Sequence, residues 1–334
     1  MPDFKQLSTT PRIVIASPAL AQQNNGNWQT ASRWAAFLEA GHAVDIVTQW
    51  QPGGATPDLL IALHARRCAP SLAAFTQAVP GRPALLVLTG TDLYRDIATD
   101  AAAQASLDLA HALVLLQPAG IAWLPPHVRA KTHILYQSAE ALPGPAVRTD
   151  EICMLGHLRD EKDPLTFMRA AALVTCPMVH IGAALDPALE TAARATEARH
   201  ANYHWLGPLP RAEARARLAR SHAMVIASAM EGGANVIIEA VTSGVPVLAS
   251  DIDGNRGMLG DDYAGYFPFG DAAALARLIA RSFDEPGFEA LLRRQCARRA
   301  ALFTPGAERA ALRELVDNLL RAAQPHPTTE QESP

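Results

Sequence analysis

Short apolar runs alternate with helical patterns through the first half of the chain. RIVIASPAL (residues 12–20) is apolar and β-branched, which is typical of a buried strand. After the polar loop QQNNGN, apolar residues from Trp28 to Leu38 recur at helical spacing, and Gly41 predicts the helix stop. Further strands are predicted at HAVDIVTQW, DLLIALHA, ALLVLTG and ALVLLQ. Fully apolar short strands separated by helices predict a parallel sheet that is covered on both faces.

The same alternation restarts in the second half. AEALPGPAVRTD (residues 139–150) is rich in Pro and Gly and is interpreted as an interdomain linker. The strands predicted after it are EICMLG, PMVHIG, NYHWLG, AMVIAS and PVLAS. The pattern therefore predicts an α/β protein of two Rossmann-like domains, with parallel sheets facing across a cleft and ligands at the carboxyl ends of the strands.

The predicted domain bounds follow from this pattern. Residues 1–148 form an N-terminal Rossmann-like domain and residues 149–300 a C-terminal one. Residues 301–323 form an amphipathic helix that we expect to pack back on the N-terminal domain. The tail 324–334 is predicted to be disordered.

Composition and charge exclude several classes of protein. Hydrophobic residues make up 49% of the chain and charged residues 19%, which excludes a disordered chain. The net charge of −4 argues against broad binding to nucleic acid or to anionic membranes. The absence of a signal-peptide pattern and of a long apolar stretch predicts a cytoplasmic protein without a membrane span.

Nothing in the sequence indicates a metal or a redox cofactor. The four cysteines are scattered without a C-x-x-C motif, which argues against a disulfide framework and against a zinc site. His200 and His204 are four residues apart, but NYHWLG is predicted to be a strand, so we expect no metal there. No G-x-G-x-x-G motif follows the first strand, which argues against a dinucleotide dehydrogenase.

Two glutamates eight positions apart mark residues 223–250. Glu231 lies in the loop MEGGA after the strand AMVIAS, and Glu239 lies on the following helix, NVIIEAVTSG. Bare amides at the positive end of a helix predict a diphosphate site, and a carboxylate further along the helix can accept two hydrogen bonds from a ribose diol. The amides belong to Gly232, Gly233, Ala234 and Asn235. The alternative is a plain Gly-Gly turn with a solvated Glu239.

A cationic loop follows the first strand of the second half. LGHLRDEKDP (residues 155–164) contains His157, Arg159 and Lys162. Two cations at the carboxyl end of a strand, facing a helix N-terminus, could neutralise a pyrophosphate leaving group. The alternative interpretation is a charged surface loop.

These motifs resemble those of the retaining glycosyltransferases of family 4, which have the GT-B fold. The central match is EGGANVIIEAVTSGVPV, in which seven residues separate two glutamates before an A-x-x-x-G-x-P-V-like run. It extends to NNGNW, LEAGHAVDIVT, LTGTDLYRD and YHWLGPLPRAEARARLARSHAMVIAS. The resemblance implies that Glu231 lies by the donor sugar, that Glu239 holds the nucleotide ribose, and that the cationic loop holds the diphosphate.

The chain departs from the family pattern at three places. The usual arginine after the loop glycine is His157, so Arg159 is expected to take that role. The frequent His-Gly-Thr-Asp appears as residues 89–92, Thr-Gly-Thr-Asp, so a histidine near the sugar is missing. ILYQSA lacks the glycine that usually closes the first half.

Longer strings resemble a narrower group, the selenosugar synthases of selenoneine biosynthesis. They are SPALAQQNNGNWQTASRW, IALHARRCAPS, LTGTDLYRDI, GHLRDEKDP, MEGGANVIIEA and ASDIDGNRGMLGDDYAGYFP. This resemblance implies transfer of the sugar of UDP-N-acetylglucosamine or UDP-glucose to selenophosphate, which forms a C–Se bond and releases UDP and phosphate. Glu231, Arg159 and Lys162 are then the expected catalytic residues.

The first half is compatible with a small anionic acceptor. Residues 1–149 contain ten Lys+Arg and nine Asp+Glu, whereas enzymes acting on anionic lipids should have a basic amphipathic patch there. Selenophosphate is already an anionic nucleophile and needs no general base, unlike a hydroxyl acceptor. The candidate acceptor-binding residues are Asn25, Gly26, Asn27, His64, Arg66, Arg67, Thr91 and Asp92.

Other functions stay open from the sequence. A retaining glycosyltransferase that acts on a hydroxyl of a small soluble acceptor is the main alternative. A catalytically silent nucleotide-sugar binding protein and a sugar-nucleotide epimerase are the others.

Overall fold

The computed structural model describes residues 10–19, 26–142 and 148–323. Asn25, the tail 324–334 and part of the predicted linker lie outside these residues. The described residues form two compact units. The first contains those up to Leu115, Leu124–Leu135 and those from Arg309 onward, and the second contains Leu116–Trp123 and those from Tyr136 to Glu308.

The first unit is built on a parallel sheet. Within the described ranges its strand order is β2-β1-β3-β4-β5-β6, and every pairing is parallel. The strands are β1 (Arg12–Ala16), β2 (Ala43–Val47), β3 (Leu59–Leu63), β4 (Ala84–Leu88), β5 (Ala112–Leu115) and β6 (Thr132–Ile134). Every residue of β3, β4 and β5 is buried, as expected for inner strands of a parallel sheet.

Helices connect these strands. They are α1 (Gly26–Leu38), α2 (Ala69–Ala78), α3 (Ile97–Thr99) and α4 (Ala101–Leu109), with a π-helical turn at Asp92–Asp96 and 3-10 turns at Pro118–Trp123 and Pro126–Lys131. Helix α1 buries Ala31, Trp34 and Leu38, which lie on one face at helical spacing. It ends at Leu38, three residues before the glycine that predicted its stop.

The second unit is built on another parallel sheet, so the predicted α/β architecture is confirmed. Its strand order in the described residues is β12-β11-β10-β7-β8-β9. The strands are β7 (Ile152–Leu155), β8 (Met178–Ile181), β9 (Tyr203–Trp205), β10 (Ala223–Ile226), β11 (Val247–Ser250) and β12 (Tyr266–Phe267). The strand order reverses between β7 and β10, and such a switch point opens a crevice at the carboxyl ends of the strands.

The helices of the second unit have clear sequence signals at their starts. They are α5 (Pro164–Ala171), α6 (Pro187–Arg199), α7 (Arg211–Arg220), α8 (Asn235–Thr242), α9 (Asp253–Leu259), α10 (Ala272–Asp284) and α11 (Pro286–Ala300), with 3-10 turns at Asp160–Lys162 and Ala301–Phe303. Proline begins α5, α6 and α11, where its missing N–H costs nothing. Asp163, Asp186 and Asp271 cap α5, α6 and α10 through their side chains.

The last helix, α12 (Pro305–Ala322), has residues in both units. From Arg309 onward it belongs to the first unit, in which the Arg313 Nε donates a hydrogen bond to the Phe37 carbonyl at 2.8 Å. In the described residues no helix is both long and apolar enough to cross a membrane.

The segment that begins at Tyr136 belongs to the second unit, although the sequence analysis placed residues up to 148 in the first domain. The Ser138 Oγ donates to the buried Glu308 carboxylate at 2.5 Å, and the Ala139 N–H donates to the Phe303 carbonyl at 3.3 Å. These hydrogen bonds connect the segment to residues 303–308 of the second unit.

Candidate functional site

The loop after β7 places Lys162 at the end of a tight turn. Asp160–Lys162 form a 3-10 turn, and Asp163 follows in the left-handed region with φ 40° and ψ 58°. The Asp163 carboxylate accepts a hydrogen bond from the Thr166 N–H at 3.3 Å and so caps α5. Aspartate tolerates this backbone conformation better than most residues, so it both turns the chain and starts the helix.

The loop after β10 holds Glu231 in a buried position. Its Oε1 accepts a hydrogen bond from the Ser228 Oγ at 2.5 Å. The Ser228 carbonyl accepts from the Ser250 Oγ at 2.6 Å, and the Asn255 amide donates to the carbonyl and hydroxyl oxygens of Ser250 at 2.9 and 3.0 Å. This chain of hydrogen bonds ties the Glu231 loop to the end of β11 and to α9.

Lys162 and Glu231 form an ion pair at the switch point of the second sheet. The Lys162 Nζ lies 2.5 Å from the Glu231 Oε1, and the two side chains are only 17% and 10% exposed. The two loops are also joined by the Ala229 N–H, which donates to the Glu161 carbonyl at 2.9 Å. Removing one partner of a buried pair costs about 3–5 kcal/mol, so each charge stabilises the other.

Glu239 is buried on α8 and is held by two arginines. Arg211 donates to the Glu239 Oε1 from Nη2 at 2.9 Å and from Nε at 3.3 Å, and the Arg215 Nε lies 3.6 Å from the same oxygen. The arginines are four residues apart on α7, so both reach the same carboxylate. Glu239 is therefore not a solvated helix residue, and the sequence analysis missed both of its partners.

Helix α8 begins at Asn235, with Ala234 at the N-cap and no side-chain cap. The N–H groups of its first turn therefore have no side-chain acceptor at the cap, and the positive helix end can receive an anion. Gly232 is buried in the loop that precedes this helix start.

Close packing gives the glycines around this loop a second role, which the sequence did not reveal. A Cβ on Gly233 would lie 2.6 Å from the Leu116 Cβ. A Cβ on Gly254, in α9, would lie 2.1 Å from the Glu231 carbonyl oxygen. Glycine at 233 is thus required for packing, whether or not its amide contacts a ligand.

His157 is a neutral side chain beside the two cations of the loop. Its Nδ1 accepts a hydrogen bond from the Ala183 N–H at 3.1 Å, which leaves the proton on Nε2. Burial lowers the pKa of His157, and the charges of Arg159 and Lys162 lower it further. Arg159 is about half exposed and lies 4.0 Å from the Glu161 carboxylate. The loop therefore contributes the Arg159 guanidinium, the Lys162 ammonium paired with Glu231, and one neutral N–H donor.

In the first unit, His64 and Asp92 are buried within the loops that follow β3 and β4. The His64 Nδ1 accepts from the Arg67 N–H at 3.2 Å, and its Nε2 donates to the Thr91 Oγ1 at 3.1 Å. Asp92 accepts backbone N–H groups from residues 65, 89 and 90 at 2.8–2.9 Å. Both side chains are buried and their hydrogen bonds hold the two loops together, and their role in binding an acceptor stays a prediction.

The other predicted acceptor-binding residues are at more exposed positions. Arg66 and Arg67 are exposed just after β3, and Thr91 is partly exposed. Gly26 and Asn27 begin α1. The sequence analysis missed Asp96, a buried carboxylate that accepts hydrogen bonds from the Nε atoms of Arg66 and Arg95.

A family of known proteins matches the second half of the chain. Residues 143–302 match the family described as glycosyl transferases group 1. This range includes the loop with Lys162, the loop with Glu231, and Glu239 on α8.

Solved structures share the fold over most of the chain. Sucrose-phosphate synthase from Thermosynechococcus elongatus is 17% identical with a TM-score of 0.75, and the match covers 94% of this chain and all of that one. HepE of Anabaena, solved with UDP and glucose, is 15% identical with a TM-score of 0.72, covering 92% of this chain and all of HepE. The pneumococcal O-GlcNAc transferase GtfA, solved with UDP and GlcNAc, is 18% identical with a TM-score of 0.61, covering 78% and 57% of the two chains.

These matches agree with the arrangement of two parallel sheets and with the resemblance noted in the sequence. The chain therefore has the GT-B fold, and its residues 143–302 match the glycosyltransferases of group 1.

Proposed function

We propose that the protein is a selenosugar synthase, which transfers the sugar of a UDP-sugar to selenophosphate. The donor is UDP-N-acetylglucosamine or UDP-glucose. The observation that carries a transferase function is the buried Lys162–Glu231 pair at the switch point, within the segment that matches glycosyltransferases. The structures of HepE with UDP-glucose and of GtfA with UDP and GlcNAc support a UDP-sugar as donor.

In this proposal the second unit binds the donor. Glu239 accepts hydrogen bonds from the ribose hydroxyls, and Arg159 and Lys162 bind the diphosphate together with the amides of Gly232–Asn235. Charge-assisted hydrogen bonds of this kind are stronger than neutral ones. Glu231 lies beside the sugar and stabilises the positive charge that develops at the anomeric carbon.

The proposed reaction has two steps. Selenium attacks the anomeric carbon, so a C–Se bond forms while the bond from that carbon to the diphosphate oxygen breaks, and UDP leaves with the electron pair. Water then cleaves the P–Se bond, which gives inorganic phosphate and the 1-seleno sugar. Arg159 and Lys162 stabilise the charge on the departing diphosphate.

Two features support an anionic acceptor over a hydroxyl. The long strings that resemble those of selenosugar synthases extend over both halves of the chain. In addition, the imidazole that contacts Thr91 is that of the buried His64, whose Nε2 donates to Thr91 and so is not placed to accept a proton from a substrate. A hydroxyl acceptor needs such a base, whereas selenophosphate does not.

The experiment is mass spectrometry of purified protein incubated with UDP-N-acetylglucosamine, with and without selenophosphate. The isotope pattern of selenium identifies a selenosugar. We expect selenosugar and UDP only when both substrates are present, and UDP-glucose is tested in parallel.

The other outcomes also decide between functions. Binding of UDP-sugar without any selenosugar would overturn the selenophosphate assignment and favour transfer to a hydroxyl of a small acceptor. Conversion of the UDP-sugar without an acceptor would indicate an epimerase, and binding without turnover of any acceptor would indicate a silent binding protein.

A further inference from the structure

The two arginines on α7 contact the Glu239 carboxylate through one of its two oxygens. Arg211 donates to Oε1 from Nη2 at 2.9 Å and from Nε at 3.3 Å, and the Arg215 Nε lies 3.6 Å from the same atom. The Glu239 side chain is only 8% exposed. The cationic contacts therefore fix how this nearly enclosed carboxylate is turned.

The other oxygen of Glu239 is accessible. Oε2 accepts no hydrogen bond within the described part of the chain, yet it is not one of the buried atoms there that lack a partner, so solvent reaches it. A carboxylate has about four lone-pair sites, and the arginine contacts to Oε1 leave those of Oε2 unused. The carboxylate can therefore accept hydrogen bonds from a ligand at Oε2 while the arginines stay in place.

Arg215 is held from a second side within the same unit. Its Nη2 donates to the Glu140 carbonyl, and its side chain is 14% exposed. Among the described residues, the buried Nε–H of Arg215 has no hydrogen-bond partner, because 3.6 Å to the Glu239 Oε1 is too long for one. An unpaired buried donor costs free energy and calls for an explanation. A role in orienting Glu239 gives one, since the guanidinium charge attracts the carboxylate at this distance.

We propose that Arg211 and Arg215 are positioning residues for a nucleoside diphosphate. They hold Glu239 by Oε1, so that Oε2 meets the ribose hydroxyls. A carboxylate that is oriented before the ligand arrives binds at a lower entropic cost. This inference rests on the proposed function for the donor and is independent of the acceptor.

The test is a calorimetric titration of the full chain with UDP and, separately, with pyrophosphate, which has no ribose. Methionine keeps much of the length of arginine without its donors. We expect Arg211→Met and Arg215→Met each to raise the Kd of UDP about fivefold or more, and to change the Kd of pyrophosphate much less. Thermal unfolding verifies that each variant folds. Arg211→Lys and Arg215→Lys keep a charge and a donor, so they should recover part of the UDP affinity and replace any methionine variant that does not fold.

Double variants show whether the arginines act through Glu239. When Glu239→Gln is already present, adding Arg211→Met or Arg215→Met should lower UDP affinity little further, because the oriented carboxylate is gone. An arginine that only stabilised the fold would give losses that add.

Arg217→Met is the matched control. Arg217 also lies on α7 and donates to Glu151 from Nε at 3.0 Å and from Nη2 at 2.6 Å. Its loss breaks an arginine–carboxylate pair of the same helix without touching Glu239, so the Kd of UDP should stay that of wild type. The proposal is overturned if folded Arg211 and Arg215 variants bind UDP as tightly as Arg217→Met does. Equal losses for UDP and pyrophosphate, or losses that add fully to that of Glu239→Gln, would also overturn it.

Selenosugar synthesis separates this inference from the proposed function. If the UDP titrations are as expected but wild type makes no selenosugar, the positioning role stands and the acceptor assignment fails. If selenosugar forms while the variants at Arg211 and Arg215 keep the wild-type Kd of UDP and KM for the UDP-sugar, the positioning role is overturned and the proposed function stands. If wild type binds neither UDP nor a UDP-sugar, both fail.

Discussion

Each candidate carboxylate in the second unit has a cationic partner. The short turn that ends in Asp163 places Lys162 against Glu231, and α7 places Arg211 and Arg215 against Glu239. In both places one of the two predicted glutamates is buried beside a cation. The sequence identifies the carboxylates by their spacing, but their cationic partners come from distant segments.

The first prediction at this scale concerns the cationic loop. Lys162→Ala and Arg159→Ala should each lower kcat about a hundredfold or more, because in the proposed mechanism each removes a charge that stabilises the departing diphosphate. Steady-state kinetics of UDP release measure this. Arg298→Ala, which removes an exposed cation paired with Asp262, is the control and should change little. A decrease of less than about threefold in both loop variants would contradict their assignment.

A second prediction concerns Glu239. Glu239→Gln keeps the shape of the side chain but loses its charge, and hydrogen bonds to a charged acceptor contribute about 1.5–3 kcal/mol. We therefore expect the Kd of UDP to rise about tenfold or more, whereas the Kd of pyrophosphate, which has no ribose, should stay the same. Calorimetry with both ligands measures this, and an equal loss for both would contradict a role in ribose binding.

At the scale of elements, the packing of α9 against the Glu231 loop fixes the position of the carboxylate. Gly254 lies where the helix meets the Glu231 carbonyl, and Asn255 bonds to the end of β11. Helix α9 therefore supports the loop, and a substitution in α9 that displaces the Glu231 backbone should also displace the Glu231 carboxylate.

Gly254→Ala tests this support. The added Cβ would lie 2.1 Å from the Glu231 carbonyl oxygen, and backbone cannot move aside as a flexible side chain can. We expect a loss of about 3 kcal/mol or more in the free energy of unfolding, with a parallel loss of turnover. Gly287→Ala is the control, because a Cβ there meets nothing within 4 Å and alanine favours the helix α11. Equal stability of the two variants in urea denaturation would contradict the argument.

The elements themselves were largely predictable, because the apolar runs are short and separated by helical patterns. The fully apolar runs at β3, β4 and β5 indicated buried parallel strands, and the structure confirms the α/β architecture. The burial of His64 was not predictable, since its φ of 114° depends on tertiary hydrogen bonds. Likewise, Gly233 has a packing role because Leu116, more than a hundred residues earlier, lies against it.

At the scale of the whole molecule, the candidate polar side chains follow the carboxyl ends of strands in both sheets. In the second sheet, Lys162 follows β7 and Glu231 follows β10, the two strands that flank the switch point. In the first sheet the order reverses at β1, and His64 and Arg66 follow its neighbour β3. The same topological rule therefore places the candidate residues in each unit.

Buried histidines give the protein a stability that depends on pH. His180 on β8 donates from Nε2 to the Gly156 carbonyl at 3.0 Å and accepts from the Tyr203 hydroxyl at Nδ1 at 3.2 Å, so it is neutral. Burial lowers the pKa of His180 to about 4, against an ordinary value of 6.5. Burial also lowers the pKa values of His64, His111, His157 and His222.

The sign of the effect follows from proton binding. Between pH 6.5 and about 4 the unfolded chain binds a proton at His180 that the folded chain does not, so stability falls as the pH falls, by about 3 kcal/mol in all. His180→Gln should be less stable at neutral pH, because buried hydrogen bonds are lost, but should lose less stability on acidification. Urea denaturation at about pH 7.5 and about pH 5 measures both effects. Between these pH values the free energy of unfolding should fall by about 2 kcal/mol more in wild type than in His180→Gln. His127→Gln, at an exposed histidine, should retain the pH dependence of wild type. If His180→Gln retains it as well, the charge state assigned to His180 is wrong.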